Sequence, residues 1–138
     1  NDRLNNFDFN LEEVVRFEGE TGPYVQYTNA RAQSILRKAA VELNADADYT
    51  ITDAAAWDVL KQLAEFPDVI VRASKEYEPS VIAKYALRLA KNFNKYYANT
   101  KVLVDDGEKT ARLAMVASVS QVLTQSLALL GVKAPKEM

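Results

Sequence analysis

The chain has 138 residues, of which 49% are hydrophobic and 26% charged, and its formal net charge is −2. These proportions are typical of one ordinary globular domain that can bury its own core. The chain contains neither Cys nor His, which excludes disulfides, cysteine nucleophiles, Ser-His-Asp triads and the common zinc and di-iron sites. Any chemistry would have to use carboxylates, Lys, Tyr, Ser or Thr, and we predict no catalytic and no metal site.

No stretch approaches the roughly 18 consecutive apolar residues that a membrane-spanning helix needs. The first residues are acidic and polar, so they do not resemble a signal peptide. We therefore expect a cytoplasmic protein with no membrane partner.

Hydrophobic residues recur at helical spacing between a few glycines and prolines that mark the turns. The predicted helices cover residues 11–17, 23 to about 43, 52 or 53 to Pro67, about 68–77, 79 to before a loop at 101–108, and about 108–130, where Gly131 fits the C′ position. No strand-like alternation competes with this pattern. The predicted fold class is all-α, a single-domain bundle of about five to six helices over residues 1–138.

Apolar stripes on these helices predict the core. The stripe on the helix that Pro79 opens consists of Ile82, Tyr85, Ala86, Leu89, Phe93 and Tyr96. On three other helices the same spacing would bury Trp57, Tyr77 and Leu129. The last helix is apolar over two stripes, which predicts that it packs between other helices.

The small net charge conceals an uneven distribution. Residues 21–41 carry three basic side chains and residues 79–104 carry five, with no acid in either segment. Together the two segments total +8, so the remainder of the chain totals −10. Residues 42–68 alone hold seven acids against Lys61. The overall charge therefore does not exclude a nucleic-acid partner for the basic segments.

Four basic residues of the second segment form a stripe on one helix face. They are Lys84, Arg88, Lys91 and Lys95, at spacings of four, three and four. The ordinary interpretation of such a run is a solvated helix face. The absence of any compensating acid weakens that interpretation, and an RNA-backbone contact is the alternative.

Aromatic residues accompany both basic segments. Tyr24, Tyr27 and Arg31 follow one another at spacings of three and four, which places them on one helix face. Tyr97 ends the second segment's helix beside several lysines. Cations beside exposed rings suit single-stranded nucleic acid, because the cation meets phosphate and the ring stacks on an unpaired base. Core packing is the alternative for each tyrosine, and Tyr27 and Tyr97 fit the buried stripes least well.

Four motifs resemble one known family. The string Gly-Glu-Thr-Gly-Pro-Tyr-Val-Gln-Tyr at residues 19–27, followed by Arg31, closely resembles the opening of the C-terminal, DALR-type anticodon-binding domain of the arginyl-tRNA synthetase family. Asn-Phe-Asn-Lys-Tyr-Tyr at 92–97, Ala-Arg-Leu-Ala at 111–114 and the terminal segment 129–138 resemble its later motifs. The resemblance runs in order along nearly the whole chain.

The resemblance implies one part of a larger enzyme. The family's class I catalytic half, with its His-Ile-Gly-His-type motif, is not represented, and a chain without His cannot contain that ATP site. We expect a C-terminal fragment that is inactive alone and binds no cofactor, whereas the full-length arginine–tRNA ligase would use ATP and magnesium. The implied partners are arginine-accepting tRNA and the enzyme's own catalytic domain, not DNA. A small departure is Tyr96, where the family often has Phe.

The resemblance also implies which residues contact the anticodon. Every arginine anticodon has C in the middle, because all six arginine codons have G there. The family residues that lie at this base match Tyr27, Arg31, Tyr97 and the C-terminal Met138. An arginine can hydrogen-bond a pyrimidine edge, a tyrosine can stack, and a carboxylate can accept from an exocyclic amine. Gln26 and Lys101 are further RNA-binding candidates.

Other interpretations stay open on the sequence alone. Arg31 could form an ion pair with a carboxylate of residues 42–68 rather than contact RNA. The whole chain could be a non-catalytic helical protein–protein interaction module. A small carboxylate enzyme is disfavoured, because no pair of carboxylates lies in an apolar surrounding that would raise one pKa.

Overall fold

The computed structural model describes residues 16, 19, 21–39, 48–132 and 134–135. Within these ranges it contains no strand and five α-helices: α1 Gly22–Ala39, α2 Ala54–Ala64, α3 Phe66–Glu76, α4 Pro79–Asn99 and α5 Lys109–Leu129. The predicted all-α fold is confirmed. The predicted helix over 11–17, apart from Arg16, and the predicted end of the next helix near Leu43 lie outside the described residues.

The ends of the helices follow from local chemistry. Asp53 caps α2 by accepting the Ala55 N–H at 2.9 Å. Pro67 does not end a helix at its own position, as the sequence suggested, but lies in the first turn of α3, where a missing N–H leaves no bond unmade. Gly131 follows α5 with φ +74°, which confirms the expected C′ glycine.

The core forms where α1, α4 and α5 pack together and α2 and α3 pack on α4. All six predicted core residues of α4 are buried, as are Leu113, Val116, Ser120, Leu123, Leu127 and Leu130 of the main stripe around α5. Helix α5 buries side chains around much of its circumference because it contacts α1 on one side and α4 on another. None of the helices in the described ranges is long and apolar enough to cross a bilayer.

Three large predicted core residues, and the small Ala64, are on the surface instead. Trp57 is 60% exposed, Tyr77 86% and Leu129 54%. Helix α2 is oriented by Gln62, whose backbone carbonyl accepts the Tyr85 hydroxyl at 2.6 Å, so its Ala56–Val59–Gln62 line faces inward and Trp57 outward. Tyr77 adopts the left-handed conformation that ends α3, and Leu129 ends α5 on the side away from the core.

A buried polar network sets the rotation of α1 against α5. Ser120 Oγ donates to Asn29 Oδ1 at 2.8 Å, and Asn29 Nδ2 donates to Thr124 Oγ1 at 3.0 Å. The Gln33 amide donates to the same Ser120 hydroxyl. Because each residue advances about 100° around a helix, the side chain of Arg31 lies roughly half a turn from Asn29. The network therefore turns the Arg31 face of α1 away from α5.

Candidate nucleic-acid interface

Arg31 lies between two tyrosine rings that come from different helices. Its guanidinium carbon is 5.2 Å from the centroid of the Tyr27 ring and 5.1 Å from that of the Tyr97 ring. Tyr27 is one turn before Arg31 on α1, and Tyr97 is in the last turn of α4. The residues Tyr27 and Tyr97 are 51% and 39% exposed, respectively. The structure thus brings together three residues that the sequence singled out, within cation–π distance.

A hydrogen-bonded asparagine joins this group to α4. Arg31 Nη1 donates to Asn94 Oδ1 at 2.8 Å. Asn94 Nδ2 donates to the Tyr24 hydroxyl and to Thr28 Oγ1, both at 2.9 Å. We refer to Tyr24, Tyr27, Thr28, Arg31, Asn94 and Tyr97 as the Arg31 cluster. The sequence patterns did not indicate Thr28 or the role of Asn94, although Tyr24, Thr28 and Arg31 share the helical spacing that marks one face.

Among the residues that the structure describes, the partners of Arg31 leave its charge uncompensated. Within the described part of the chain, its side chain contacts the Asn94 amide and the two rings, and no carboxylate. The described carboxylates of residues 48–68 therefore do not provide the ion pair that the sequence left open. An arginine held by neutral groups keeps its full attraction for an anionic or polar ligand.

A depression of about 540 Å³ opens beside the Arg31 cluster. Its lining residues are Ile35, Lys38, Tyr97, Ala98, Thr100, Lys101, Val102, Leu103 and Val104. Ile35 and Val102 are buried, whereas Lys38 and Lys101 are exposed, and none of the described lining residues is acidic. The depression thus combines apolar lining, one wall from the Tyr97 ring, and two cations, a combination that suits a nucleotide.

Arg112 shapes the loop that lines this depression. Its Nε donates to the Val102 carbonyl at 3.1 Å and its Nη2 to the Val104 carbonyl at 2.6 Å. The same guanidinium pairs with Asp106, with Nη2 to Oδ1 at 3.0 Å and Nη1 to Oδ2 at 3.1 Å. These bonds hold the pKa of Asp106 below its ordinary value. The sequence signal for Arg112 is a charged residue within an apolar helix face.

Comparison with known proteins agrees with this geometry. A family model described as the DALR anticodon binding domain matches residues 25–138. The chain belongs to this family. Over all of its length it is 72% identical to an arginine–tRNA ligase of Latilactobacillus sakei subsp. sakei (strain 23K) and 70% identical to one of Lactiplantibacillus plantarum, covering 24% and 25% of those proteins.

A solved structure agrees as well. The structure titled Thermus thermophilus arginyl-tRNA synthetase matches this DALR domain with a TM-score of 0.79 at 40% identity, over 88% of the chain and 22% of that protein. The chain thus spans about a quarter of the length of the relatives that it matches. The family expected from the four motifs is confirmed.

The basic stripe occupies a different side of the DALR domain from the Arg31 cluster. All four of its side chains, Lys84, Arg88, Lys91 and Lys95, are exposed on the face of α4 that points away from the core. At about 100° per residue, the stripe is centred roughly a quarter turn from Asn94 and further from Tyr97. The stripe therefore flanks the cluster and does not join it.

The remaining predicted residues of the DALR domain lie in three places. Lys101 lines the depression beside Tyr97. Gln26 is half-buried on α1. Met138 lies outside the described residues.

Proposed function

We propose that this DALR domain binds the anticodon stem and loop of arginine-accepting tRNA as the C-terminal part of an arginine–tRNA ligase. The observation that carries the proposal is Arg31, which is charge-uncompensated within the described residues and held between the exposed rings of Tyr27 and Tyr97. The relatives named arginine–tRNA ligases match the chain from end to end and support the choice of enzyme.

The chemistry of a middle cytosine fits this arrangement. A splayed-out cytosine offers two acceptors on its Watson–Crick edge, to which a guanidinium can donate. The Tyr27 and Tyr97 rings can stack on bases, a contact worth about 1–3 kcal/mol per base in single-strand binders. Uracil presents an N–H where cytosine has its ring-nitrogen acceptor, so Arg31 would discriminate between them. Met138 stays a predicted contact of the same base.

The surroundings suggest where the rest of the loop runs. The depression beside Tyr97 can take a neighbouring nucleotide, with Lys38 and Lys101 near its phosphate. The basic stripe on α4 would then contact the RNA backbone further along. Such contacts supply affinity without reading sequence.

Catalysis is assigned to the part of the enzyme that lies outside this chain. There, ATP and magnesium would support activation of arginine and its transfer to the tRNA 3′ end, in the cytoplasm. Within the described residues, no three His, Cys, Asp or Glu side chains are grouped so that they could hold a metal ion. This domain would hold tRNA for its own catalytic domain and be inactive alone.

Titration of a fluorescent anticodon stem-loop RNA with the protein tests the proposal. Arg31→Ala should weaken binding of the middle-C loop by about 1–3 kcal/mol, as expected for loss of a base contact. Arg72→Ala is the matched control, because Arg72 is exposed on α3 and pairs only at 3.8 Å with Glu76. Binding that does not change between about 50 and about 300 mM salt would contradict an RNA surface.

One observation favours a second candidate function, docking of another protein. Three large apolar side chains on α2, on α3 and directly after α3 are more than half exposed: Trp57, Val71 and Tyr77. If these side chains carry the function, Trp57→Ser should abolish capture of a protein partner while Arg31→Ala leaves that capture unchanged. RNA binding that is lost with Arg31→Ala and kept with Trp57→Ser would favour the anticodon-binding function.

A further inference from the structure

Asn94 uses all of its side-chain hydrogen-bonding groups within the Arg31 cluster. Its carbonyl oxygen accepts from Arg31, and its two N–H groups donate to the Tyr24 hydroxyl and to Thr28 Oγ1. This pattern fixes the orientation of the amide, because a flipped amide would place two N–H groups against the guanidinium.

Thr28 ties this amide to the backbone of α1. Thr28 is fully buried, and its hydroxyl donates to the carbonyl of Tyr24 at 2.9 Å while it accepts from Asn94. The position of the Arg31 guanidinium is therefore set by a chain of hydrogen bonds that runs from the α1 backbone through Asn94. This series of hydrogen bonds connects α1 with α4, two helices that are far apart in sequence.

Because Asn94 is neutral, it leaves the charge of Arg31 and most of its N–H donors available to a ligand. An aspartate has nearly the same shape and would also accept from Arg31, through a stronger, charge-assisted bond. It would, however, neutralise the guanidinium and compete with any ligand for its N–H groups. An amide positions the arginine by one hydrogen bond and leaves about four of its five N–H donors and its full charge.

We propose that Asn94 is a positioning and specificity-determining residue for RNA, holding the Arg31 guanidinium between the Tyr27 and Tyr97 rings with its charge and donors available. The inference rests on the proposed function and adds the group that makes Arg31 selective. Arg31 touches the base, and Asn94 acts through Arg31.

The test compares Asn94→Asp with Asn94→Ala in this chain. The probes are two anticodon stem-loop RNAs that differ only in a middle C or U, each titrated over a range of salt concentrations. For Asn94→Asp we expect about tenfold weaker binding of the middle-C loop and loss of the preference for C over U. The slope of log K against log salt should also become shallower, because the added carboxylate lowers by one the positive charge that faces the phosphates of the loop.

Asn94→Ala separates positioning from charge. It leaves the guanidinium charged but unanchored, so the preference for C should fall while the salt slope stays that of the unmodified chain. Thermal unfolding of both variants provides the check on structure. A purely structural role would lower both melting temperatures and leave the preference for C and the salt slope of the folded fraction unchanged, which would overturn the proposal.

Thr28→Val keeps the test decisive if the Asn94 variants do not fold. It preserves shape and removes the hydroxyl that accepts from Asn94, so it should reduce the preference for C in the same direction by a few fold. If folded Thr28→Val or Asn94→Asp keeps the preference for C over U while Arg31→Ala still weakens binding, the proposed role of Asn94 is overturned. The proposed function then still stands. If the unmodified chain binds neither RNA, the proposed function fails and this inference fails with it.

Discussion

Arg31 and Arg112 are the same residue type in opposite situations. Arg112 is 6% exposed and donates to two backbone carbonyls and to Asp106. Arg31 is half-buried, donates to one neutral amide and faces two exposed rings. The first uses its donors to hold the fold, whereas the second has one donated hydrogen bond among the described residues. The partners of an arginine, more than its presence in a motif, therefore indicate which role it has.

The two arginines are also connected. Arg112 holds the carbonyls of Val102 and Val104, and the loop that contains them lines the depression beside Tyr97. Tyr97 in turn packs against Arg31. A structural arginine thus shapes the surface next to the arginine proposed to bind RNA.

The largest expected effect on stability comes from removing Arg112. Arg112→Ala deletes bonds to two carbonyls and one carboxylate from a buried position, so we expect it to lower the free energy of unfolding by about 2–3 kcal/mol. Urea unfolding followed by circular dichroism measures this. Arg72→Ala, which removes only an exposed ion pair, should change the same free energy by less than about 1 kcal/mol. Equal losses for the two variants would remove the contrast between Arg112 and an ordinary surface arginine.

The Arg112–Asp106 pair also predicts an acid-side effect. Because the pKa of Asp106 is lower in the folded state, the pair stabilises the fold above the ordinary aspartate pKa. That contribution should be lost as the pH falls below about 4. In Arg112→Ala the pH dependence of stability in this range should be smaller, and an unchanged profile would contradict the assignment.

An intermediate effect is expected from the two lysines of the depression. Lys38→Ala and Lys101→Ala together should weaken RNA binding by about tenfold and make the salt slope shallower by about 1.4, since two phosphate contacts are lost. The ratio of affinities for middle-C and middle-U loops should not change, because point charges do not read a base. Lys75→Ala on exposed α3 is the matched control. A changed ratio would place Lys38 or Lys101 at the base itself.

The smallest effect concerns the neighbouring tyrosines Tyr96 and Tyr97, which repeat the contrast between the arginines. Tyr96 is 2% exposed, and its hydroxyl has no hydrogen-bond partner among the described residues, whereas Tyr97 is 39% exposed. Tyr96→Phe removes the unpartnered hydroxyl, so it should leave stability unchanged or raise it by up to about 1 kcal/mol, with RNA binding unchanged. A loss of more than about 1 kcal/mol in urea unfolding would show that the hydroxyl has a partner.

The same substitution should alter the alkaline limit of stability. Burial raises the pKa of Tyr96 to about 12. An unfolded chain ionises this tyrosine near its ordinary pKa of about 10, so its contribution is fully present below that pH and is lost as the pH rises toward 12. The free energy of unfolding of Tyr96→Phe should therefore fall less steeply between these pH values.

Much of the fold follows from the sequence, because apolar spacing decides burial wherever a helix is long. The α4 stripe from Ile82 to Tyr96 is buried as predicted. The prediction that Trp57 is buried is wrong because a polar contact orients the short α2 helix. This contact is the hydrogen bond from the Tyr85 hydroxyl to the Gln62 carbonyl. Hydropathy patterns contain no information on such a bond.

The candidate site is predictable in part. Helical spacing places Tyr27 with Arg31, and motif resemblance adds Tyr97. The contact between Asn94 and Thr28 depends on how closely α1 and α4 pack, which no local pattern encodes. The depression with Lys38 depends likewise on the loop that Arg112 holds in place.

The most direct test of the account replaces Arg31 by Lys and measures the ratio of affinities for the middle-C and middle-U loops. Lysine keeps the charge but loses the planar set of donors that can stack on the two rings. We expect Arg31→Lys to retain the salt slope while the preference for C, about 1–3 kcal/mol in the unmodified chain, disappears. A preference for C that survives in Arg31→Lys would contradict the claim that the guanidinium held by Asn94 reads the base.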